Sequence, residues 1–278
     1  MSEIRRIDFS SFDVLSEIRR GGQGTLYKVR NKQYGGVYAL KACVISTRIK
    51  EVILNSEVSV IKEISLAPFV DCPGLVEYYD VFTFSDQKIN SGSISVGLLM
   101  EYVDGKDFFD LEIVKNIPKI TSLFFEIIKT IDFLHKHGVV HRDIKMENMM
   151  LASDGSVKLV DFGFATLIDQ CDLFQRLGTP NYSPPEVHGR RLKRELLTKI
   201  DIWSFGLTIY GCLFECFPWT SDNYYDISRE VESGVIRKLL ENHQFPNPML
   251  EKVVKGCLQM KPENRPTAEQ IISMWKSV

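Results

Sequence analysis

The first hundred residues carry apolar and β-prone runs of strand length. "FDVLSEI" from Phe12, "TLYKVR" from Thr25, "GVYALKACV" from Gly36, "LVEYYDVFTF" from Leu75 and "SISVGLLMEYV" from Ser93 are rich in β-branched or aromatic residues. Turn residues separate them, so each predicts a strand. Between the third and fourth runs the period changes. In "IKEVILNSEVSVIKEI", residues 49–64, Ile53, Ile61 and Ile64 recur at helical spacing with Glu57 on the same face. After "YVDGKD" (102–107) helical patterns dominate. "PKITSLFFEIIKTIDFLHKHG" (118–138) predicts a long amphipathic helix, with Pro118 suited to its first turn and Gly138 to its stop. Met149–Leu151 and Val157–Val160 flank "SDGS" and predict a hairpin. The pattern describes an α+β protein with a small antiparallel-sheet lobe, a strap at "EYVDG" and a larger helical lobe. A ligand is expected where the lobes meet.

Composition narrows the classes. The chain of 278 residues suits two lobes, and its net charge of -2 lacks the basic field of a nucleic-acid binder. The six cysteines form no C-x-x-C pair and no metal spacing, which fits a reduced intracellular chain, cytoplasmic or nuclear. Cys212 and Cys216 fall in a helical run and are expected to pack, not bridge. "MSEIRRIDFS" has no apolar signal region, and "FGLTIYGCLF" (205–214) is too short to span a bilayer, so no membrane insertion is expected.

Candidate chemistry begins at "IRRGGQGTLYKV" (18–29), where Gly21, Gly22 and Gly24 fall within four residues. Alone they fit a sharp hairpin as well as a phosphate loop, because Arg19 stands where G-x-G-x-x-G needs its first glycine. "VYALK" places Lys41 in a half-buried strand, where an ammonium needs a partner. Glu57 is the expected one, with Glu63 as the alternative. "VVHRDIKMEN" (139–148) sets Asp143, Lys145 and Asn148 on one loop, and the hairpin returns the chain to deliver Asp161-Phe162-Gly163 beside it. Asp143, Asn148 and Asp161 are expected to converge there, and two oxygen ligands suffice for a phosphate-bound Mg²⁺, which keeps waters and phosphate oxygens as its other ligands.

From about Phe12 to Trp275 the chain resembles the eukaryotic-type serine/threonine protein kinases. The glycine loop, the strand-three lysine, H-R-D with its Asn, D-F-G and an A-P-E-like "PPE" follow in family order. The resemblance implies a bilobal kinase domain over 12–275, with an N-lobe at about 12–100, a hinge at about 101–105, a C-lobe at about 106–275 and a short extension at 1–11. It implies ATP and Mg²⁺ as cofactors and protein substrates as partners; the oligomeric state is open, with a monomer as the default. Lys41, paired with Glu57, would hold the α- and β-phosphates. Asp143 would accept the substrate proton, Lys145 would meet the γ-phosphate, and Asn148 and Asp161 would hold the metal. Thr179 would bond the catalytic loop. Ile18 and Leu26 would roof the adenine beside Ala39, with Met150 as its floor. Met100 is the gatekeeper, Glu101 and Val103 offer hinge backbone, and Asp107 meets the ribose. Glu186 with Arg265 and the bracing Asp201 would be scaffold. Asp107 and Glu147 match positions that read an upstream arginine in kinases of the calcium/calmodulin-dependent and cyclic-nucleotide-dependent groups.

Three departures shape further expectations. Thr166 is the only hydroxyl side chain between Asp161 and Gly178, so "LIDQCDLFQRL" lacks a target for activating phosphorylation. Arg142, which grips that phosphate in the family, then needs Asp169 or Asp172, or the segment is held by packing. "GRRLKRE" (189–195) reads as a solvated loop, with docking of an acidic or phosphorylated partner as the alternative. A rival function, a nucleotide-binding scaffold without catalysis, has only Arg19 in its favour. Arg19→Gly restores the missing glycine. It is expected to tighten ATP binding and leave kcat unchanged, as nucleotide titration and steady-state kinetics would read.

Overall fold

Backbone pairing divides the chain into two units, Met1–Asp71 with Val76–Asp104, and Cys72–Leu75 with Gly105–Val278. The computed structural model describes residues 6–22, 24–44, 55, 57, 58, 72, 74–90, 94–109, 116–172, 178–188, 192–219, 221 and 223–276.

The first unit is built on five antiparallel strands, β1 (Phe12–Gly21), β2 (Gly24–Asn31), β3 (Val37–Val44), β4 (Tyr78–Phe84) and β5 (Ser95–Glu101). Their order in the sheet is β1-β2-β3-β5-β4. Strand alternation sorts the side chains onto two faces. Tyr27 and Val29, Leu40 and Ala42, and Phe82 and Phe84 fill one face with Leu99. Phe9, upstream of β1, completes this core by stacking on Phe84 at 4.6 Å between ring centroids. Ile7 N donates to Thr83 O at 2.9 Å, so the segment before β1 extends the sheet along β4. The register puts Leu26 and Leu98 opposite Lys41, and Met100 opposite Ala39, which assembles the other face.

Two expectations change here. The fourth strand begins at Tyr78, not Leu75. Leu159 N donates to Gly74 O at 2.8 Å, and Leu75 pairs in parallel with Leu159, so residues 72–75 pack within the second unit. Of the helix expected at 49–64, only Asn55, Glu57 and Val58 are among the described residues, and they are helical.

In the second unit the long helix α1 runs Ile117–Lys136. The Asn116 side chain caps it by accepting from Lys119 N, Pro118 sits in the first turn, and Gly138 follows the end in the left-handed region at φ 69°. Ile120, Phe124, Ile127, Ile131 and Leu134 form its buried stripe, the helical period seen in the sequence. Helix α2 (Thr198–Phe214) is buried on every side from Ile200 to Cys212, which makes it the central helix of the unit. It contains "FGLTIYGCLF", and no described helix is long and apolar enough to cross a membrane. Cys212 is buried within it, exposed Cys216 lies beyond its end, and all six cysteines are free thiols. Further helices are α3 (Tyr224–Glu232), α4 (Val235–Asn242), α5 (Pro248–Cys257) and α6 (Ala268–Lys276), with α5 packed on α2 and α6 on α1.

Two small sheets frame the loops of this unit. Strands β6 (Gly105–Asp107), β8 (Met149–Ala152) and β9 (Val157–Leu159) form one, with the expected "SDGS" turn between β8 and β9. Strands β7 (Val139–Val140) and β10 (Thr166–Leu167) form the other.

A buried ion pair ties the far side of α2. Arg265 donates to both Glu186 oxygens, at 2.6 and 2.9 Å. Its remaining donors reach Gln259 O and Lys199 O, and its guanidinium lies 4.8 Å from the Trp203 ring centroid. Because every charge is partnered, removing one partner strands the other in a dry site. Glu186→Ala or Arg265→Ala is expected to lower the unfolding free energy by about 3–5 kcal/mol. Urea denaturation would show the double variant costing less than the two singles added.

Candidate active site

In the first unit, Lys41 projects from β3 on the face opposite the aromatic core. Its Nζ lies 2.7 Å from Glu57 Oε1, and both groups are buried, at 8% and 1% exposure. This is the expected pairing; the alternative, Glu63, lies outside the described residues. The shared face also carries Leu26, Ala39 and Met100, three of the residues expected to line the adenine. Ile18 is on β1 and half-exposed. Gly21 and Gly24 close the β1–β2 hairpin as a register pair, and Gly22 faces open space. Gly24 is required by packing, since a Cβ there would stand 2.5 Å from Ala42 O. Arg19 pairs with Leu26 across the hairpin. At the end of β5, Glu101 N donates to Glu77 O at 2.8 Å, and Val103 beyond it is buried.

In the second unit, the catalytic-loop candidates form one hydrogen-bonded array. Asp143 Oδ1 accepts from Thr179 N at 3.1 Å and from Thr179 Oγ1 at 2.7 Å. Its Oδ2 accepts from Asn148 Nδ2 at 2.9 Å and lies 2.8 Å from Lys145 Nζ. Lys145 also donates to Thr179 Oγ1 at 2.7 Å. Gly178 makes this approach possible, because a Cβ there would stand 2.5 Å from Arg142 O. Four donors thus converge on a carboxylate that is only 3% exposed.

The loop itself hangs from Asp201 on α2. Asp201 Oδ1 accepts from Arg142 N at 2.8 Å, and Oδ2 accepts from His141 N and His135 Nε2, both at 2.9 Å. These bonds hold Arg142 in the left-handed region at φ 63°, a conformation that costs a non-glycine residue about 1–3 kcal/mol. Asp161 is also left-handed, at φ 61°. His141 donates from Nε2 to Val160 O and accepts Asp143 N at Nδ1, each at 3.3 Å, which fixes its neutral form.

Asn148 Nδ2 is committed to Asp143, so of its amide atoms the oxygen is the one that could serve a metal. Asp161 follows Val160, whose N donates to Asn148 O at 2.9 Å, so the two candidate ligands sit on bonded segments. Asp161 Oδ1 accepts from Gly163 N at 3.2 Å. One amide oxygen and one carboxylate are hard donors that fit Mg²⁺. Asp107 pairs in register with Met150, and its Oδ1 accepts from Phe109 N. Glu147 accepts from Tyr182 Oη at 3.3 Å, a contact the sequence did not indicate.

Two further groups went unread in the sequence. His135 lies in the last turn of α1 beside its apolar stripe, and that placement was the available signal for a buried partner. Arg194, from the basic run read as a solvated loop, donates to Ile168 O and, at 3.2 Å, to Cys171 O. Of that run, 189–191 lie outside the described residues, and Lys193 Nζ lies 4.0 Å from Glu263 Oε1.

Burial alone would push the Asp201 carboxyl up. The bond and charge of His135 and the His141 backbone N–H outweigh it and hold the carboxyl below its ordinary range. Burial likewise pushes His141 down, against the pull of Asp201, Asp143 and Asp161. Both groups bind fewer protons folded than unfolded, so their contribution is present above the ordinary pKa and lost as pH falls. For His141 that loss starts at its ordinary value of 6.5. The unfolding midpoint is expected to fall from about pH 7.5 to about pH 5.5, with His141 contributing at most about 1.4 kcal/mol per pH unit. Denaturation curves across that range would check it; a flat midpoint would refute it.

Residues 12–275 match the protein kinase domain family. The chain is 29% identical to mitogen-activated protein kinase kinase 2 of Arabidopsis thaliana, over 96% of this chain and 72% of that protein. It is 28% identical to serine/threonine-protein kinase STE20 of Eremothecium gossypii, over 89% of this chain and 25% of that protein. Identity to NUAK family SNF1-like kinase 1 of Homo sapiens is 25%, over 95% of this chain and 38% of that protein. The chain thus spans well under half the length of the last two. With the match covering nearly its whole length, the chain belongs to the protein kinase domain family.

Proposed function

We propose that Asp143 orients a substrate hydroxyl and accepts its proton while Lys145 screens the transferring phosphoryl group. The reaction is ATP-dependent phosphorylation of serine and threonine hydroxyls in proteins. The observation that carries this assignment is the Asp143–Thr179–Lys145–Asn148 array, which aims a buried carboxylate and an ammonium at one place. Thr179 fixes both groups at once through its hydroxyl. Lys41, held by Glu57, meets the α- and β-phosphates, and Gly21, Gly22 and Gly24 let the backbone approach them. Leu26, Ala39 and Met100 pack on adenine with Ile18; Glu101 and Val103 offer it backbone groups. In the second unit, Met150 packs on adenine and Asp107 bonds the ribose. Asn148 and Asp161 hold Mg²⁺, which neutralises charge on the phosphate oxygens when bound. The protein positions and screens, and forms no covalent intermediate.

Protein substrates with a basic residue upstream of the target fit Asp107 and Glu147. Phe108 N donates to Met146 O at 3.3 Å, which keeps the two acids on adjoining segments. Peptide arrays are expected to favour an upstream arginine, and Glu147→Gln to weaken that preference. The free thiols fit an intracellular site of action.

Transfer of labelled phosphate from ATP to a basic protein tests the central claim. Asp143→Asn is expected to lose about 10²–10⁴-fold in rate while nucleotide binding persists. Equal transfer by both proteins would overturn the assignment.

A further inference from the structure

The stretch after D-F-G is tied down at several points. Strand β10 pairs with β7, and Ile168 N donates to Gly138 O at 2.8 Å. Cys171 packs with Val140, Val187, Leu197 and Ile200, and Ile168 and Leu192 lie against them. Thr166, the only hydroxyl between Asp161 and Gly178, is 2% exposed and bonded to backbone, so it offers a protein kinase no accessible target. Arg142 points into this stretch. Its Nε donates to Phe164 O at 2.6 Å, and an Nη lies 3.7 Å from Cys171 Sγ. Burial works against the charge on Arg142, and the carboxylates of Asp201 and Asp172 work for it. Asp169 is exposed.

The remaining tie comes from outside the stretch. Arg194 precedes α2 and places two guanidinium donors on the carbonyls of Ile168 and Cys171. A one-turn 3-10 helix, Ile168–Gln170, lies between those carbonyls, so one side chain spans the turn and fixes both ends. Hydrogen bonds from a charged donor are the stronger kind. Leu197 and Ile200, just after Arg194, bury Cys171 from the same side.

We propose that Arg194 is a positioning residue for phosphoryl transfer, clamping residues 164–171 so that the catalytic loop is set without phosphorylation of that segment. The linkage runs from Arg194 to the Ile168 and Cys171 carbonyls, then through Cys171 and Phe164 to the Arg142 side chain. Arg142 directly precedes Asp143 in the catalytic loop. The clamp takes the place of the phosphate as the partner that orders the segment, and its backbone acceptors require no covalent modification. This rests on the phosphotransfer reading above.

The test uses the full chain, treated with a broad phosphatase and verified phosphate-free by mass spectrometry. Such wild-type protein is expected to keep its kcat. Arg194→Ala is expected to lose about 10–100-fold in kcat with little change in KM for ATP, since misplacement of reacting groups acts on the transition state. Arg194→Lys, which can serve one carbonyl at a time, is expected to fall between. Amide hydrogen exchange provides a readout independent of catalysis. Arg194→Ala is expected to speed exchange across 164–171 about tenfold while α1 and α2 exchange as in wild type. Unchanged kcat and unchanged exchange in Arg194→Ala would overturn the clamp. So would a phosphate-free wild type that is inactive until the segment is phosphorylated. If wild-type protein transfers no phosphate in any state, the phosphotransfer reading fails, and the exchange comparison alone still decides for or against the clamp.

Discussion

One carboxylate holds the catalytic loop in place. Asp201 is wholly buried and takes three donors, two of them backbone N–H groups of consecutive residues. An isolated charge in such a place would cost several kcal/mol. The third donor, from His135 on α1, completes its coordination and ties a second helix to the same point. The loop therefore depends on two helices whose own positions are set by apolar packing. Because Arg142 N must reach Asp201, the backbone there turns left-handed, and the turn presents Asp143 N to His141 Nδ1. The Asp143 carboxylate is placed by a chain of hydrogen bonds with few alternatives. Any variant that loosens α1 or α2 acts on Asp143 without touching it.

Buried charge recurs in this protein in two energetic settings. Glu186 and Arg265 saturate one another, with carbonyls taking the remaining donors, and such a pair fixes geometry without inviting a ligand. Lys41 and Glu57 differ. Here an ammonium lies 2.7 Å from one carboxylate oxygen, Glu57 Oε1. The contrast follows from side-chain chemistry. A guanidinium fork suits a closed bidentate pair, while a point-charge ammonium can serve two anions.

Much of this was legible in the residues because the chemistry demanded particular types at particular spacings. The five strands followed from β-prone runs, and α1 was placed within two residues at each end by its apolar period, Pro118 and Gly138. The Lys41–Glu57 pair followed from the cost of burying either charge alone. Where reading failed, tertiary context had decided. Leu75 continues a strand-like run in sequence, yet bonds around Gly74 carry it into the other unit. Glycine at 74 is what allows that, since a Cβ would stand 1.9 Å from Thr130 Oγ1. His135 carries no spacing signature, because its partner Asp201 is 66 residues away.

Arg194 marks a deeper limit. Charge patterning treats a basic run as a field and asks what acidic partner it would meet. That works when the partner is a side chain, whose type is written in the sequence. The acceptors of Arg194 are two main-chain carbonyls, and every residue has one. Nothing in the composition of residues 168–171 distinguishes them as acceptors. What does distinguish them is geometry: the 3-10 turn exposes both carbonyls on one side, and the start of α2 brings the guanidinium there. A segment without a phosphorylatable hydroxyl still needs order, and main-chain acceptors supply it without adding a side-chain charge. An arginine so placed holds a segment with no covalent modification, and the same placement hides it from any reading that counts charges.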